Sequence, residues 1–457
     1  MSTSGSVLSL IGNTPLVEVR SFDTGLCRLY LKLENHNPGG SIKDRIGRSM
    51  IEAAEREGKL RHGSTLVEAT AGNTGLGLAL VAAQKGYRLI LVIPDKMSQE
   101  KVFHLKALGA EVVMTRSDVG KGHPAYYQDL AEKITAETPG AFYINQFNNQ
   151  ANPLAHETTT GPELWAQSGH DLDAVVCGVG SGGTITGLSR FFARVAPDAE
   201  MVLADPAGSV LAEYIKTGNI GEAGSWVVEG IGEDFIPPIV DLSRVRTAYT
   251  ITDAESLGTA RDLLRQEGIL AGSSSGTLVA AALAYCREQT TAKRVVTFVC
   301  DSGNKYLSKM FNDHWMVDQG FRRLPPCGDL RDLIVRRHSD GGVVTIGPTD
   351  AMNRAYARMR LYDVSQLPVL EDGKIVGIID ESDLLLAITQ KPTAFGEPVR
   401  NYMTSKLETV SRNAKVEELF SIFDAGRVAI VADSEGFYGL ITRVDLLNYL
   451  RRRHLAA

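Results

Sequence analysis

Lys43 is the residue of this sequence best placed to act on a carbonyl compound. It follows the turn formers Pro38, Gly39 and Gly40 and then Ser41, a small polar residue at the position of a helix N-cap. Apolar Ile42, Ile46, Met50 and Ala53 recur at helical spacing, and Gly58 supplies a stop. Lys43 therefore falls in the first turn of an amphipathic helix. The positive end of the helix dipole disfavours a cation there, and partial burial acts in the same sense. A neutral lysine amine attacks a carbonyl to form a Schiff base. Alone, such a lysine is more commonly a solvated surface group, so the other loops bear on the choice.

Three further stretches place small polar residues between an apolar run and a helical pattern. In Glu68-Ala69-Thr70-Ala71-Gly72-Asn73-Thr74-Gly75, the hydroxyls of Thr70 and Thr74 suit a carboxylate at a helix N-terminus, and the Asn73 amide suits a phenolic oxygen. Cys177-Gly178-Val179-Gly180-Ser181-Gly182-Gly183-Thr184-Ile185-Thr186-Gly187 superficially resembles a dinucleotide fingerprint. It lacks an acidic residue at the right place in a clean βαβ unit, Asp205 being the nearest candidate. It also lacks the lysine of a P-loop, so a single phosphate monoester held by backbone donors fits it better. Gly272-Ser273-Ser274-Ser275-Gly276 offers hydroxyls to a heterocyclic nitrogen. Each stretch also reads as an ordinary glycine- or serine-rich turn. A fourth loop, Val228 to Pro237, carries Glu229, Glu233 and Asp234 around Gly230 and Gly232. It is either merely solvated or closes over a cationic amine.

The elements that position these loops alternate. Arg28–Leu33, Thr65–Glu68, Leu89–Ile93, Glu111–Met114, Ala174–Cys177, Met201–Ala204 and Val295–Cys300 read as strands. Gly75–Lys85 and Gln99–Leu108 read as helices between them. The pattern is that of an α/β protein with largely parallel sheet, whose ligands bind where the chain leaves the C-terminal ends of strands.

The 457 residues suggest two or three domains, and 44% hydrophobic with 22% charged residues is globular composition. A net charge of -6 argues against a nucleic-acid partner. No apolar run reaches the length of a membrane span, and residues 1–9 do not read as a secretory signal. The five cysteines are widely spaced, without a metal-binding pattern. A cytoplasmic protein with free thiols and no metal is expected.

Composition shifts at Phe321-Arg322-Arg323-Leu324-Pro325-Pro326, which reads as a linker. Two similar units of about sixty residues come after it. The first runs through the helix Met352–Leu361 to Gly377-Ile378-Ile379-Asp380-Glu381-Ser382-Asp383. The second runs through Val416–Phe423 to Gly439-Leu440-Ile441-Thr442-Arg443-Val444-Asp445. The resulting division is a core over residues 1–320, a linker over 321–330 and a paired module over 331–457, with repeats at about 331–392 and 393–457.

With these motifs in their order, the chain resembles the cystathionine β-synthase family, within the fold-type II (tryptophan synthase β-like) pyridoxal-phosphate enzymes. The likeness runs from Ile11-Gly12-Asn13-Thr14-Pro15-Leu16 to Trp315-Met316, and the repeats resemble a Bateman module of tandem CBS domains. The resemblance implies a core of two α/β subdomains and pyridoxal 5′-phosphate as cofactor. Lys43 would carry the Schiff base and act as base. Asn73 would bond the 3′-hydroxyl, Gly180, Ser181, Gly182, Gly183 and Thr184 would cradle the phosphate, and Ser274 would face the pyridine nitrogen. Thr70, Ala71, Gly72, Thr74 and Gln146 would bind the substrate carboxylate. Glu229, Gly230 and Asp234 belong to a loop expected to meet the second substrate's ammonium group.

The implied reaction is β-replacement: L-serine and L-homocysteine give L-cystathionine, and cysteine as first substrate gives hydrogen sulfide. Two alternatives stand beside it, an O-acetylserine sulfhydrylase and a non-catalytic sensor of adenosyl ligands. The acidic loop and the Bateman module favour the first reading. Ala71 replaces a serine frequent in the family, and Phe147 replaces a tyrosine found in some members. Ten residues precede Ile11, so no haem-binding extension and no haem are expected. Thr442 and Asp445 match the ribose-binding pair of Bateman modules, whereas Asp380 stands in place of threonine in the first repeat. At most one adenosyl ligand per chain is expected, S-adenosylmethionine before AMP. A homo-oligomer, at least a dimer, is implied.

Overall fold

A computed structural model of the protein describes residues 5–455 other than Ala71, Lys96 and Leu324. The chain forms two compact units, Met1–Asn312 and Asp313–Ala457. This division precedes the boundary read from the sequence at residue 320. The helix Asp313–Asp318 packs with residues C-terminal to it: Arg322 pairs with Asp313, and Arg451 donates to the Asp318 carbonyl at 2.8 Å.

The first unit contains β1 (Leu16–Glu18), β2 (Arg28–Leu33), β3 (Thr65–Ala69), β4 (Arg88–Pro94), β5 (Glu111–Thr115), β6 (Ala141–Tyr143), β7 (Ala174–Cys177), β8 (Glu200–Pro206), β9 (Val245–Ile251) and β10 (Arg294–Val299). They build two sheets, ordered β1-β2-β10-β7-β8-β9 and β5-β4-β3-β6. Every pairing is parallel except that of β1 with β2. Parallel strands are covered on both faces, which is why β3 and β7 are buried throughout and β4 beyond its first residue. Strands β1, β6 and β9 lie at sheet edges and are only partly buried. Lacking a clear apolar run, they were not expected from the sequence.

Five helices position the site: α1 (Lys43–Arg56), α2 (Asn73–Lys85), α3 (Gln99–Ala107), α4 (Gly183–Val195) and α5 (Ser273–Arg287). Helices α2, α3 and α4 start just beyond the C-terminal ends of β3, β4 and β7. Helix α1 buries Ile46, Met50, Ile51 and Ala54. The turn before it is closed by the Gly40 N–H to the Asn37 carbonyl at 2.7 Å. Ser41 does not occupy the N-cap position. Ile42 does, and the Ser41 hydroxyl accepts from the Lys43 N–H at 3.3 Å. Ser41 is drawn one residue back because it bridges to Asp301, while the Ile42 N–H bonds the Cys300 carbonyl.

The second unit holds two repeats with separate hydrophobic cores. In the first, β11 (Gln366–Glu371) and β12 (Lys374–Asp380) form a hairpin ahead of α6 (Glu381–Gln390). In the second, β13 (Thr409–Val410), β14 (Ala429–Asp433) and β15 (Gly436–Ile441) form a sheet ahead of α7 (Arg443–Leu455).

Candidate active site

Lys43 opens into a cavity of about 710 Å³ walled by the strand-end loops of both sheets of the first unit. Lys43 is half-buried, and burial pulls its ammonium below the usual lysine range against the opposing pull of Cys300, Glu233 and Asp301. Among the described residues, nothing accepts a hydrogen bond from Lys43 Nζ. A partly buried lysine with no ion-pair partner in direct contact among the described residues loses its proton more readily than a free one, which is what a carbonyl nucleophile requires.

The same cavity is lined by Thr70, Asn73, Thr74, Gln146, Gly180, Ser181, Gly182, Gly183, Thr184, Glu229, Gly230, Asp234 and Ser274. Together with Lys43, these residues come from six separate places in the chain. Gly72 lies just behind the wall, where a Cβ would meet the Lys101 side chain at 2.7 Å. Ala71 lies outside the described residues.

Each wall has its own support. The glycine loop after β7 ends at Gly182, the N-cap of α4, with φ at 90°. The first N–H groups of a helix have no intrahelical partner and point at whatever lies beyond them. The loop's hydroxyls are held from behind: Ser181 Oγ accepts from Asn152 Nδ2 at 2.9 Å, and Thr184 Oγ1 lies 3.2 Å from His156 Nε2. His156 is buried, and burial together with Lys43 and Arg45 keeps it neutral. Of the three serines opening α5, only Ser274 lines the cavity. Ser273 accepts from the Glu229 N–H at 3.0 Å and Ser275 from the Cys300 N–H at 2.9 Å.

On the opposite wall, Thr74 Oγ1 donates to Gln146 Oε1 at 2.8 Å, and Gln146 Nε2 donates to the Ala69 carbonyl at 3.1 Å. The Thr70 hydroxyl accepts from the Gly72 N–H at 3.1 Å, closing the turn. Phe147 packs on Phe235 of the acidic loop, with ring centroids 5.8 Å apart. It anchors that loop by apolar contact.

Glu229 departs from the sequence reading. Its carboxylate is buried and already paired, Oε2 with Lys101 Nζ at 2.6 Å and Oε1 with Lys309 Nζ at 2.8 Å. Burial raises the carboxyl's pKa, but the two ammonium groups outweigh it and hold Glu229 below the usual range. Glu229 therefore ties the loop to α3, and its carboxylate is already spent on two lysines. Glu233, half-buried, and Asp234, exposed, are the other carboxylates of this loop that line the cavity.

Asp301, Lys305, Lys101 and Lys309 escaped the sequence reading. They follow or face the end of β10, and a strand end in a parallel sheet was the available signal. Asp301 Oδ2 accepts from Asn73 Nδ2 and from the Tyr306 hydroxyl, each at 2.7 Å. Lys305 Nζ donates to Asn73 Oδ1 at 3.0 Å.

A lysine whose ammonium is destabilised by burial, a helix N-terminus built of glycine, an amide and a lone hydroxyl around one cavity fit a phosphorylated aldehyde with a ring nitrogen. Similarity to known proteins agrees. The family described as pyridoxal-phosphate dependent enzyme matches residues 7–301, and the CBS domain matches 331–390 and 399–452. The cystathionine beta-synthase of Dictyostelium discoideum is 37% identical over 98% of this chain and 92% of its own length. The chain belongs to the cystathionine β-synthase family. The Saccharomyces cerevisiae cystathionine beta-synthase is 34% identical over 97% of both chains. Two solved structures resemble this family member over about two thirds of the chain. An O-acetylserine dependent cystathionine beta-synthase from Helicobacter pylori has 35% identity and a TM-score of 0.63, covering 68% of this chain and 99% of its own. A hydrogen sulfide-producing enzyme from Fusobacterium nucleatum has 36% identity and a TM-score of 0.63, covering 67% and 100%. The cystathionine β-synthase family is one of fold-type II pyridoxal-phosphate enzymes, so pyridoxal 5′-phosphate is its cofactor.

In the second unit, Thr442 and Asp445 form the cap of α7. Asp445 Oδ2 accepts both the N–H and the hydroxyl of Thr442, each at 2.7 Å. Asp380 and Asp383 cap α6 reciprocally in the first repeat, and burial followed by the Asp380 charge raises the Asp383 carboxyl. Among the described residues no group of His, Cys, Asp or Glu is placed to hold a metal ion, and no helix is long and apolar enough to cross a membrane.

Proposed function

We propose that this protein condenses L-serine with L-homocysteine to L-cystathionine, and releases hydrogen sulfide when cysteine is the first substrate. The observation that carries the reading is Lys43, half-buried and with no ion-pair partner in direct contact among the described residues, opening into the cavity shared by the glycine loop, Asn73 and Ser274. Lys43 is the residue that holds the cofactor's aldehyde carbon. The backbone from Gly180 to Thr184 holds its phosphate, Asn73 its phenolic oxygen and Ser274 its ring nitrogen. When bound, pyridoxal 5′-phosphate withdraws electrons from the amino acid's α-carbon, which allows the β-substituent to leave.

Everything else falls to the chain. Thr70, Thr74 and Gln146, with the turn through Ala71 and Gly72, hold the substrate carboxylate, and the Thr74 hydroxyl exchanges its bond to Gln146 for one to substrate. Lys43 Nζ, whose hold on a proton burial weakens, takes the α-proton and delivers a proton to the departing β-oxygen. The loop from Glu229 to Phe235, fastened by Lys101 and Phe147, keeps water out, and Asp234 meets the ammonium group of homocysteine.

Steady-state assays with serine plus homocysteine and with O-acetylserine plus sulfide test this directly. Preference for the second pair would overturn the reading in favour of a cysteine synthase. The similarity to an O-acetylserine dependent cystathionine beta-synthase supports one variant, with O-acetylserine as first substrate and the same product. Comparing serine and O-acetylserine against homocysteine separates the two.

For the second unit, the reading is at most one adenosyl ligand per chain, at Thr442 and Asp445, with S-adenosylmethionine preferred over AMP. Asp445 Oδ1 has no hydrogen-bond partner among the described residues and suits a ribose hydroxyl. The Asp380–Asp383 pair would repel a phosphate-bearing nucleotide. Titration calorimetry of the full chain with both ligands is the test, and silence with both would leave an assembly role. Light scattering tests the expected dimer.

A further inference from the structure

We infer that Lys305 is a positioning residue for the cofactor's phenolic oxygen, acting through Asn73, an inference that rests on the cofactor reading above. Lys305 lies in the short helical turn Gly303–Tyr306 after β10 and is buried. Its ammonium donates to the carbonyls of Gly39 at 3.2 Å and Gly40 at 3.1 Å and to Asn73 Oδ1 at 3.0 Å. An ammonium has three hydrogens and no acceptor site, so these contacts use it completely.

On the other side of the same amide, Asn73 Nδ2 donates to Asp301 Oδ2 at 2.7 Å. An ionised carboxylate only accepts. The Asn73 amide is thus gripped between a group that can only donate and one that can only accept. A flip would set its NH2 group against the buried ammonium and its oxygen against the buried carboxylate. The amide is therefore locked in one orientation. Asp301 takes one of the two Nδ2 hydrogens. Asn73 lines the cavity, so what it offers there is the second N–H, a donor suited to an anionic oxygen.

The same ammonium fixes the turn that leads into Lys43. Gly39 and Gly40 present their carbonyls to Lys305, and the chain then passes through Ser41 and Ile42 to Lys43. One side chain therefore sets both the donor for the phenolic oxygen and the approach of the Schiff-base lysine. A fixed donor beside the phenolic oxygen would favour the visible-absorbing tautomer of the bound cofactor, in which that oxygen is anionic and its proton sits on the imine nitrogen, over the near-ultraviolet one.

The test titrates apo-protein with pyridoxal 5′-phosphate and reads affinity and the ratio of visible to near-ultraviolet absorbance. Lys305→Met is expected to bind about tenfold or more weakly, as for loss of a charge-assisted hydrogen bond, with a lowered ratio. Asn73→Ala is expected to lower the ratio by itself. Adding Lys305→Met to Asn73→Ala should lower it by much less than Lys305→Met lowers it in the wild-type background, since the amide is gone and only the contacts to the Gly39–Gly40 turn remain to be lost. Lys305→Gln, whose end can accept as well as donate, should give an intermediate ratio and serves if the methionine variant does not fold. An equal further drop in the Asn73→Ala background would mean a merely structural lysine. Wild-type affinity and ratio in folded Lys305→Met or Lys305→Gln would overturn the inference alone. A wild-type protein with no visible band would overturn the cofactor reading, and the inference with it.

Discussion

Gly47 and Gly77 meet where α1 crosses α2. A Cβ on Gly47 would lie 2.6 Å from the Gly77 carbonyl carbon, and one on Gly77 would lie 2.5 Å from the Lys43 carbonyl oxygen. Two helices whose first residues are Lys43 and Asn73 are therefore in backbone contact one turn below the cavity. The spacing between the Schiff-base lysine and the amide facing it depends on the absence of side chains at this crossing. Gly77→Ala should destabilise the protein by about 1–3 kcal/mol, as overpacking does, although alanine is intrinsically the better helix former by about 1 kcal/mol. Thermal melting gives the sign, and a stabilised variant would show that the helices separate freely. Cofactor affinity should fall in parallel.

Lys43→Ala should keep the fold and the cavity but lose the visible absorbance of the bound cofactor and almost all turnover. Both losses come from one amine, which forms the Schiff base and moves the α-proton. Appreciable turnover in this variant would assign the proton transfer elsewhere.

Glu229 and Asp234 should separate cleanly when neutralised. Glu229→Gln leaves Lys101 and Lys309 around a buried site without their carboxylate. Breaking a buried pair in this way costs about 3–5 kcal/mol. Asp234→Asn is an exposed change, expected to shift stability by no more than about 0.5 kcal/mol while raising KM for homocysteine. Stopped-flow spectra with serine alone should be unaffected by Asp234→Asn. If serine turnover falls as much as homocysteine turnover, Asp234 does not meet the second substrate.

Arg45 anchors α1 from the residue two beyond Lys43. It bonds Glu34 at 2.8 Å and Glu163 at 2.7 Å, and Lys32 joins Glu163 at 2.8 Å. Burial raises the Glu163 carboxyl, but the Arg45 hydrogen bond and charge and Lys32 bring it down to about 2. A carboxyl whose folded pKa is depressed adds stability that is present above its unfolded pKa of about 4.3 and is lost as pH falls through the folded value. Wild type should therefore lose stability progressively from about pH 4.5 down to about pH 2. Glu163→Gln should be less stable at neutral pH and flatter across that window. Parallel acid-melting curves for the two proteins would remove Glu163 from this role.

Thr442→Ala should cost about 1 kcal/mol as a lost helix cap, since its hydroxyl both donates to the Asp445 carboxylate and accepts from the Asp445 N–H. If the ribose reading holds, the same change also weakens S-adenosylmethionine. Unchanged calorimetric affinity would confine Thr442 to capping.

Much of the chemistry was legible because it is local. The Pro38-Gly39-Gly40 turn, the glycine loop before α4 and the serines opening α5 declare themselves through backbone requirements that few residue types meet. Their order along the chain then identified the family, and the repeats at Asp380–Asp383 and Thr442–Asp445 announced a second unit. What the sequence did not determine is which polar groups are spent on one another. Lys101 and Glu229 are 128 positions apart, and Lys305 and Asn73 are 232 apart. No periodicity or turn rule relates such residues. Glu229 accordingly read as a carboxylate awaiting a substrate amine, yet folding surrounds it with two lysines and removes it from water. The tertiary structure decided this because a buried charge is stable only beside its partner, and the partner is chosen by how the two sheets bring their strand ends together.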